Sequence, residues 1–307
     1  MVGTHPLLSI HPEAREALDA GGPLVALEST LVTHGLPRPD NLAAAAASEA
    51  AVREAGAVPA TVAIRDGSIR VGLSQGELEE LAEADDVPKV SRQNLAGALT
   101  RGGWGGTTVA ATMIASKMAG IAVFATGGIG GVHRGGESSM DISADLEELA
   151  RTPVNVVCAG PKSILDVART LEALETGGVP VVSWQSDEVA GFYSRSSGFH
   201  PPLRVYSASE GAGLLRMQRD LRVESGVLVT VPLPDDVALP REQVAAAVEQ
   251  ASAEAVAAGV RGPASTPYVL GRIAEITEGR SVIANIALIK RDAAVAGAIA
   301  VALARAR

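Results

Sequence analysis

Short apolar runs recur along the chain, and each gives way to glycine or to a polar group. Leu24-Val25-Ala26-Leu27 stops at Glu28, Ile121 to Thr126 runs into Gly127-Gly128, and Val154 to Cys158 turns at Ala159-Gly160-Pro161. Val179 to Trp184 and Leu228 to Val231 repeat the pattern. Such runs are too brief for helices and fit strands buried on both faces, the environment of a parallel sheet. Helical segments lie between them, at about Pro39 to Ala55, Gln75 to Ala84, Thr107 to Met118, Leu146 to Arg151 and Lys162 to Leu174. The alternation predicts an α/β fold with a largely parallel sheet. One exception is local: Thr61 to Gly72 reads as a hairpin, because Asp66-Gly67 supplies a positive-φ turn between two alternating runs. From Arg241 onward the chain turns helical, at Gln243 to Ala258, Thr266 to Thr277 and Val282 to Leu303. Pro232 to Asp236 is the best candidate boundary. The helices beyond it carry enough apolar surface to need the sheet, so a single domain over residues 1–307 is expected.

Composition narrows the function classes. With 307 residues, 47% of them hydrophobic and 20% charged, the chain is long enough for a sizeable core and too apolar for disorder. A formal charge of −9 argues against a nucleic-acid binder, which would cluster Lys and Arg against phosphates. A small anionic substrate would still need a local basic pocket. No stretch reaches the roughly 18 apolar residues of a membrane span. Met1 to Leu18 has no basic segment followed by an apolar run. These features predict a cytoplasmic protein with neither membrane nor nucleic acid as partner. The lone Cys158 excludes an intrachain disulfide and a cysteine-only metal site.

Chemistry gathers between His133 and Lys162. Asp141 and Asp145, at i and i+4, are expected on one face of an incoming helix, with Ser143 between them. Lys162 follows Ala159-Gly160-Pro161 as the expected first residue of a helix. There the dipole and burial would both disfavour an ammonium and leave a nucleophilic amine. A surface lysine with a solvated head is the competing reading. Gly102 to Gly106, followed by Thr107 and Thr108, sets backbone N–H groups before a helix as a phosphate nest would, or else forms a plain turn with a threonine cap. It matches neither a Walker A loop nor a dinucleotide fingerprint, which argues against a nicotinamide oxidoreductase. Gly127 to Arg134 is a second glycine loop after a strand, where open α/β sheets place ligands. Its His133 reads either as a satisfied loop histidine or as a functional one beside Arg134, Glu137 and Asp141.

Taken in order, the motifs form a longer pattern. They are Glu28-Ser29-Thr30, Lys89-Val90-Ser91-Arg92, Thr107-Thr108-Val109, Gly130 to Gly135, Asp141 to Leu146, Gly160 to Asp166, Phe192 to Gly198 and Ala284 to Leu288. Together, over about Pro23 to Leu303, they resemble the pseudouridine-5′-phosphate glycosidase family. The resemblance implies an α/β/α layered fold, a homotrimer and manganese, one ion per subunit with magnesium as the alternative. It also implies reversible cleavage of the C–C bond of pseudouridine 5′-phosphate to uracil and ribose 5-phosphate. Carried over by position, Glu28 becomes the proton donor, Lys162 the nucleophile that forms an imine, and Asp141 the metal ligand. Lys89, Val109, Ser143, Ala144 and Asp145 become substrate contacts, with His133 and Asn285 lining the same cavity. Thr107 and Thr108 join them as the hydroxyls of the first glycine loop. The roles suit the residues: a carbon leaving group defeats an ordinary carboxylate pair, whereas an imine provides an electron sink.

Several segments depart from that family's pattern: Ser139-Met140, Ser183-Trp184-Gln185, Val189-Ala190-Gly191, Arg291-Asp292 and Pro263. If they line the base pocket, the planar acceptor differs from uracil. The alternative activity is then a C-glycosynthase joining ribose 5-phosphate to an aromatic polyketide, as in alnumycin biosynthesis. A non-catalytic sugar-phosphate binding protein would keep the glycine loops without needing Glu28 and Lys162 together.

Overall fold

The computed structural model describes residues 5–260, 262 and 265–306; Pro263 lies outside them. The strands are β1 (Leu8–Ile10), β2 (Leu24–Leu27), β3 (Val58–Arg65), β4 (Ser68–Val71), β5 (Lys89–Val90), β6 (Trp104–Thr107), β7 (Val123–Ala125), β8 (Asn155–Cys158), β9 (Val181–Trp184), β10 (Leu203–Val205) and β11 (Leu228–Thr230). They form one sheet in the order β1-β4-β3-β2-β7-β8-β11-β9-β10, with β6 also on β3 and β5 on β6. Pairing is parallel except where β3 meets β4 and β6. The predicted hairpin is β3–β4, and Asp66 and Gly67 turn it with φ of 47° and 79°. Two positive φ angles in a two-residue loop match the right-handed twist of the flanking strands.

The helices are α1 (Pro12–Asp19), α2 (Asp40–Glu54), α3 (Gln75–Glu83), α4 (Leu95–Leu99), α5 (Val109–Ala119), α6 (Gly136–Ser139), α7 (Ala144–Arg151), α8 (Val167–Thr176), α9 (Ala208–Asp220), α10 (Arg241–Ala257), α11 (Ser265–Ile276) and α12 (Arg280–Arg305). Strand residues alternate between two cores, as the pleat requires. Leu24 and Ala26 join Phe124, Val156 and Cys158 beneath residues of α1, α5, α7 and α8. Val25 and Leu27 join Ala125, Val157 and Val229 beneath α2, α9 and α12. The fold is thus α/β/α, with helices on both faces. A third core, built from α10, α11, the start of α12 and Phe192-Tyr193, adjoins the strand ends. Cys158 is fully buried, and its Sγ accepts the N–H of Gly160 at 3.3 Å.

The first glycine cluster is not a nest. Gly105 and Gly106 are strand residues of β6, and α5 starts only at Val109, capped by Thr108. A Cβ on Gly106 would come within 2.3 Å of Thr33 Oγ1, and one on Gly105 within 3.1 Å of Ile64 Cβ. Close approach of neighbouring chain, rather than an anion, explains these glycines.

Candidate active site

Parallel strands that end side by side collect their following residues at one edge, the usual place for a ligand in an open α/β sheet. Glu28 follows β2, Thr126 follows β7, and Ala159 to Lys162 follow β8. Glu28 is 9% exposed. Its carboxylate accepts the hydroxyls of Thr30 and Thr126, partners that fix its orientation without neutralising it. Lys89 approaches from β5, and Asn285 from the second turn of α12. Glu28, Lys89, Lys162 and Asn285 line one cavity of ≈60 Å³, with His34 and Phe192 completing the wall.

The cavity's charges act on one another. Burial, then the nearby charge of Lys162, holds the Lys89 ammonium below its ordinary pKa, with Glu28 and Asp145 opposing. His34 is lowered by burial and by Lys89. Its Nδ1 lies 2.6 Å from Thr33 Oγ1, on a π-helical turn over Leu31–Gly35. Such turns are rare and concentrate at functional sites. This cluster supplies the basic pocket that an anionic substrate needs inside an acidic protein.

Asp145 is 6% exposed and acts as a brace. Its Oδ1 accepts the N–H of Ala110 in the first turn of α5 at 3.1 Å, and Oδ2 accepts that of Gly130 at 2.8 Å. The positive end of α5 thus already faces an anion, the protein's own carboxylate. Ser143 caps α7 by accepting the N–H of Asp145 at 3.2 Å, and Ala144 is the exposed first residue of that helix. Val109 is buried at the start of α5.

Four expectations are corrected. Lys162 does not begin a helix: α8 starts at Val167, capped by Asp166, whose Oδ1 accepts the N–H of Arg169 at 3.0 Å. Helix-dipole destabilisation therefore belongs downstream of the lysine, which is held instead by its N–H on Ile129 O at 3.1 Å. Asp141 and Asp145 do not share a helical face, because α7 begins only at Ala144 and Asp141 stays in the exposed preceding loop. His133 does not line the Glu28 cavity. It lines, with Asp141, Arg134 and Ile164, a separate groove of ≈600 Å³, and its N–H donates to Asp141 O at 3.0 Å. Thr107 is fully buried, and its hydroxyl donates to Val62 O at 2.7 Å, so it braces the sheet behind the site.

Sequence reasoning passed over His34 and the two threonines that hold Glu28. The signal for His34 was its place in Thr33-His34-Gly35, just beyond a strand that ends in a carboxylate. Among the described residues, the family-divergent segments line neither Glu28's cavity nor its neighbour, while Ser139 lines the groove of His133 and Asp141. Ser183 and Trp184 are buried in β9, Val189 and Ala190 are core, and Met140 is 75% exposed on a loop.

Comparison with known proteins bears on this arrangement. The pseudouridine-5′-phosphate glycosidase of Methylobacterium nodulans is 54% identical over 99% of this chain and 90% of its own length. That of Paracoccus denitrificans is 53% identical over 97% and 99%. Among solved structures, the prealnumycin C-glycosynthase AlnA in complex with ribulose 5-phosphate superposes with a TM-score of 0.91 at 38% identity, covering 98% of both chains. An indigoidine synthase A-like protein from Thermotoga maritima gives a TM-score of 0.88 at 33% identity over 97% of both. With a family model matched along residues 13–302 and close relatives spanning nearly its full length, the chain belongs to the family described as indigoidine synthase A like protein, alongside the pseudouridine-5′-phosphate glycosidases.

Proposed function

We propose that this protein is an enzyme that reversibly splits pseudouridine 5′-phosphate into uracil and ribose 5-phosphate through an imine on Lys162. The convergence of Glu28, Lys89 and Lys162 on one cavity at the strand ends carries the reading. In the cleavage direction the Lys162 amine adds to the sugar's anomeric carbon as the ring opens. The nitrogen lone pair then forms the C=N bond as the bond to the base carbon breaks. Glu28 delivers the proton which that carbon needs, and water releases the sugar from the lysine. Lys89 faces the same cavity as a cation suited to the phosphate. Borohydride trapping with ribose 5-phosphate, followed by peptide mass spectrometry, tests the nucleophile: the added mass is expected on Lys162, and its appearance on Lys89 would refute the assignment.

The manganese implied by the resemblance has Asp141 as its candidate ligand. Among the described residues no three His, Cys, Asp or Glu side chains converge as a metal site. A lone exposed carboxylate fits a hard ion that keeps most of its waters, as magnesium and manganese do, and does not fit a zinc-like cage. When bound, the ion would supply positive charge and oriented water to sugar hydroxyls.

The C-glycosynthase reading draws support from the likeness to AlnA. The glycosidase reading is preferred because the glycosidase relatives are more similar and, among the described residues, the divergent segments do not line the Glu28 cavity.

A further inference from the structure

Two side chains that do not line the Glu28 cavity tie together the elements that bring charge to it. Lys89 sits on β5, a strand of two residues that pairs with β6 and stands off the main strand order. The turn after it is locked locally: Asn94 Nδ2 donates to Lys89 O at 3.0 Å, and Asn94 Oδ1 accepts the N–H of Ser91 at 2.7 Å. Arg92, three residues beyond Lys89, then reaches α7, where its Nε donates to Glu148 Oε2 at 2.5 Å and its Nη2 to Oε1 at 2.8 Å. We propose that Arg92 and Glu148 are positioning residues, whose forked ion pair sets the span between Lys89 and the segment Ser143 to Asp145 and so shapes the site for a sugar phosphate. The inference rests on the function proposed above and deepens it.

Three observations support it. First, the pair is two-pronged, and two N–H donors on one carboxylate fix direction as well as distance. Second, the acidic end is anchored. Glu148 is fully buried in α7 and also accepts the hydroxyl of the buried Thr152, whereas the Arg92 side chain is 43% exposed. Third, Glu148 lies one helical turn beyond Asp145, which carries the N–H groups of Ala110 and Gly130 and whose charge is felt at Lys89. A shift of Glu148 is thereby passed to the second glycine loop and to the start of α5, and a shift of Arg92 to Lys89. Stability alone does not account for the arrangement, because an ion pair drawn out of water is commonly no more stabilising than apolar side chains of the same volume. Placement does account for it.

Three variants separate placement from stability. Glu148→Gln keeps the shape but sets an amide N–H₂ against the guanidinium, and Arg92→Lys keeps the charge but loses the fork. The double variant Arg92→Met/Glu148→Met keeps apolar volume and strands no buried charge. Thermal midpoints, the Kd of ribose 5-phosphate by calorimetry, and KM values for ribose 5-phosphate and uracil in the synthetic direction are compared with wild type. The double variant is expected to have a midpoint near that of wild type. All three are expected to raise Kd and KM for ribose 5-phosphate about tenfold, with KM for uracil within about twofold, since a small misplacement within a site is costly. A double variant with both the midpoint and the ribose 5-phosphate affinity of wild type would overturn the proposal and make the pair a stability element only. Weakened binding in Arg92→Lys but not in Glu148→Gln would also overturn it, by giving Arg92 a direct contact with the sugar phosphate. A wild type that binds ribose 5-phosphate yet forms no pseudouridine 5′-phosphate would refute the proposed function, while the Kd comparison still decides the role of the ion pair. A wild type that does not bind ribose 5-phosphate would overturn both.

Discussion

Thr126, just beyond β7, donates its hydroxyl to Glu28, just beyond β2, so the two strands are joined again past the end of their backbone ladder. The bond fixes the orientation of the Glu28 carboxyl group. Thr126→Val keeps the shape and removes the donor. A typical hydrogen bond contributes about 0.5–1.5 kcal/mol, and leaving a buried acceptor without its donor costs about 1–3 kcal/mol. The variant should therefore lose roughly tenfold or more in kcat, with circular dichroism unchanged. Full turnover would show that Thr30 alone suffices to hold Glu28.

Lys89 sets activity against stability. Its folded-state pKa is lowered, so between that value and the unfolded pKa of about 10.4 the unfolded chain binds more protons. Stability from this group therefore rises with pH, and at neutral pH the ammonium is a cost. Lys89→Met should raise the thermal midpoint at pH 7 while lowering activity by roughly tenfold or more, as expected for a lost charge-assisted contact. The gain in midpoint should shrink at higher pH. A variant destabilised at pH 7 would contradict the electrostatic account.

Asp292 titrates in the opposite sense. Burial raises its pKa well above the ordinary carboxylate range, outweighing a backbone hydrogen bond at Ala159 and the charge of Arg291. Below the unfolded pKa of about 3.9 both states are protonated, and above it only the unfolded chain ionises until the folded pKa is reached. Stability is then lost with rising pH, by at most roughly 1.4 kcal/mol per pH unit. Asp292→Asn should be increasingly more stable than wild type between pH 5 and pH 8 in urea titrations. A difference that is flat with pH would mean that Asp292 ionises normally.

Manganese at Asp141 is open to a readout independent of turnover. Titration with Mn²⁺, followed by the paramagnetic resonance of the free aqua ion, should show depletion by wild type and none by Asp141→Ala. Equal depletion by both would place the ion elsewhere. Chelation should stop turnover reversibly, with activity restored by added manganese.

The sheet was legible because its central strands are buried on both faces: Leu24 to Leu27 reads as a strand from its own apolar run, and Glu28 stands out at its end. Gly105 and Gly106 hid β6, since their reason lies in clearance from Ile64 and Thr33, far away in sequence. Pro161 misled about Lys162. Proline opens many helices, but here the true cap is Asp166, and the intervening residues bridge back to the glycine loop through Ile129–Pro161 and His133–Leu165. β10 was missed because it is only three residues long and two of them are exposed. The π turn that carries His34 has no local signature at all, for it follows from packing rather than from propensity.

The burial of Cys158 turns the chain's single thiol into a reporter. Burial pushes that thiol's pKa upward, and no thiolate is presented while β8 keeps its place in the sheet. A disulfide reagent added to the native protein should thus react only as fast as the centre of the molecule opens. The rate of colour development would time that opening, and any surface cysteine introduced for a dye would be labelled against a silent background.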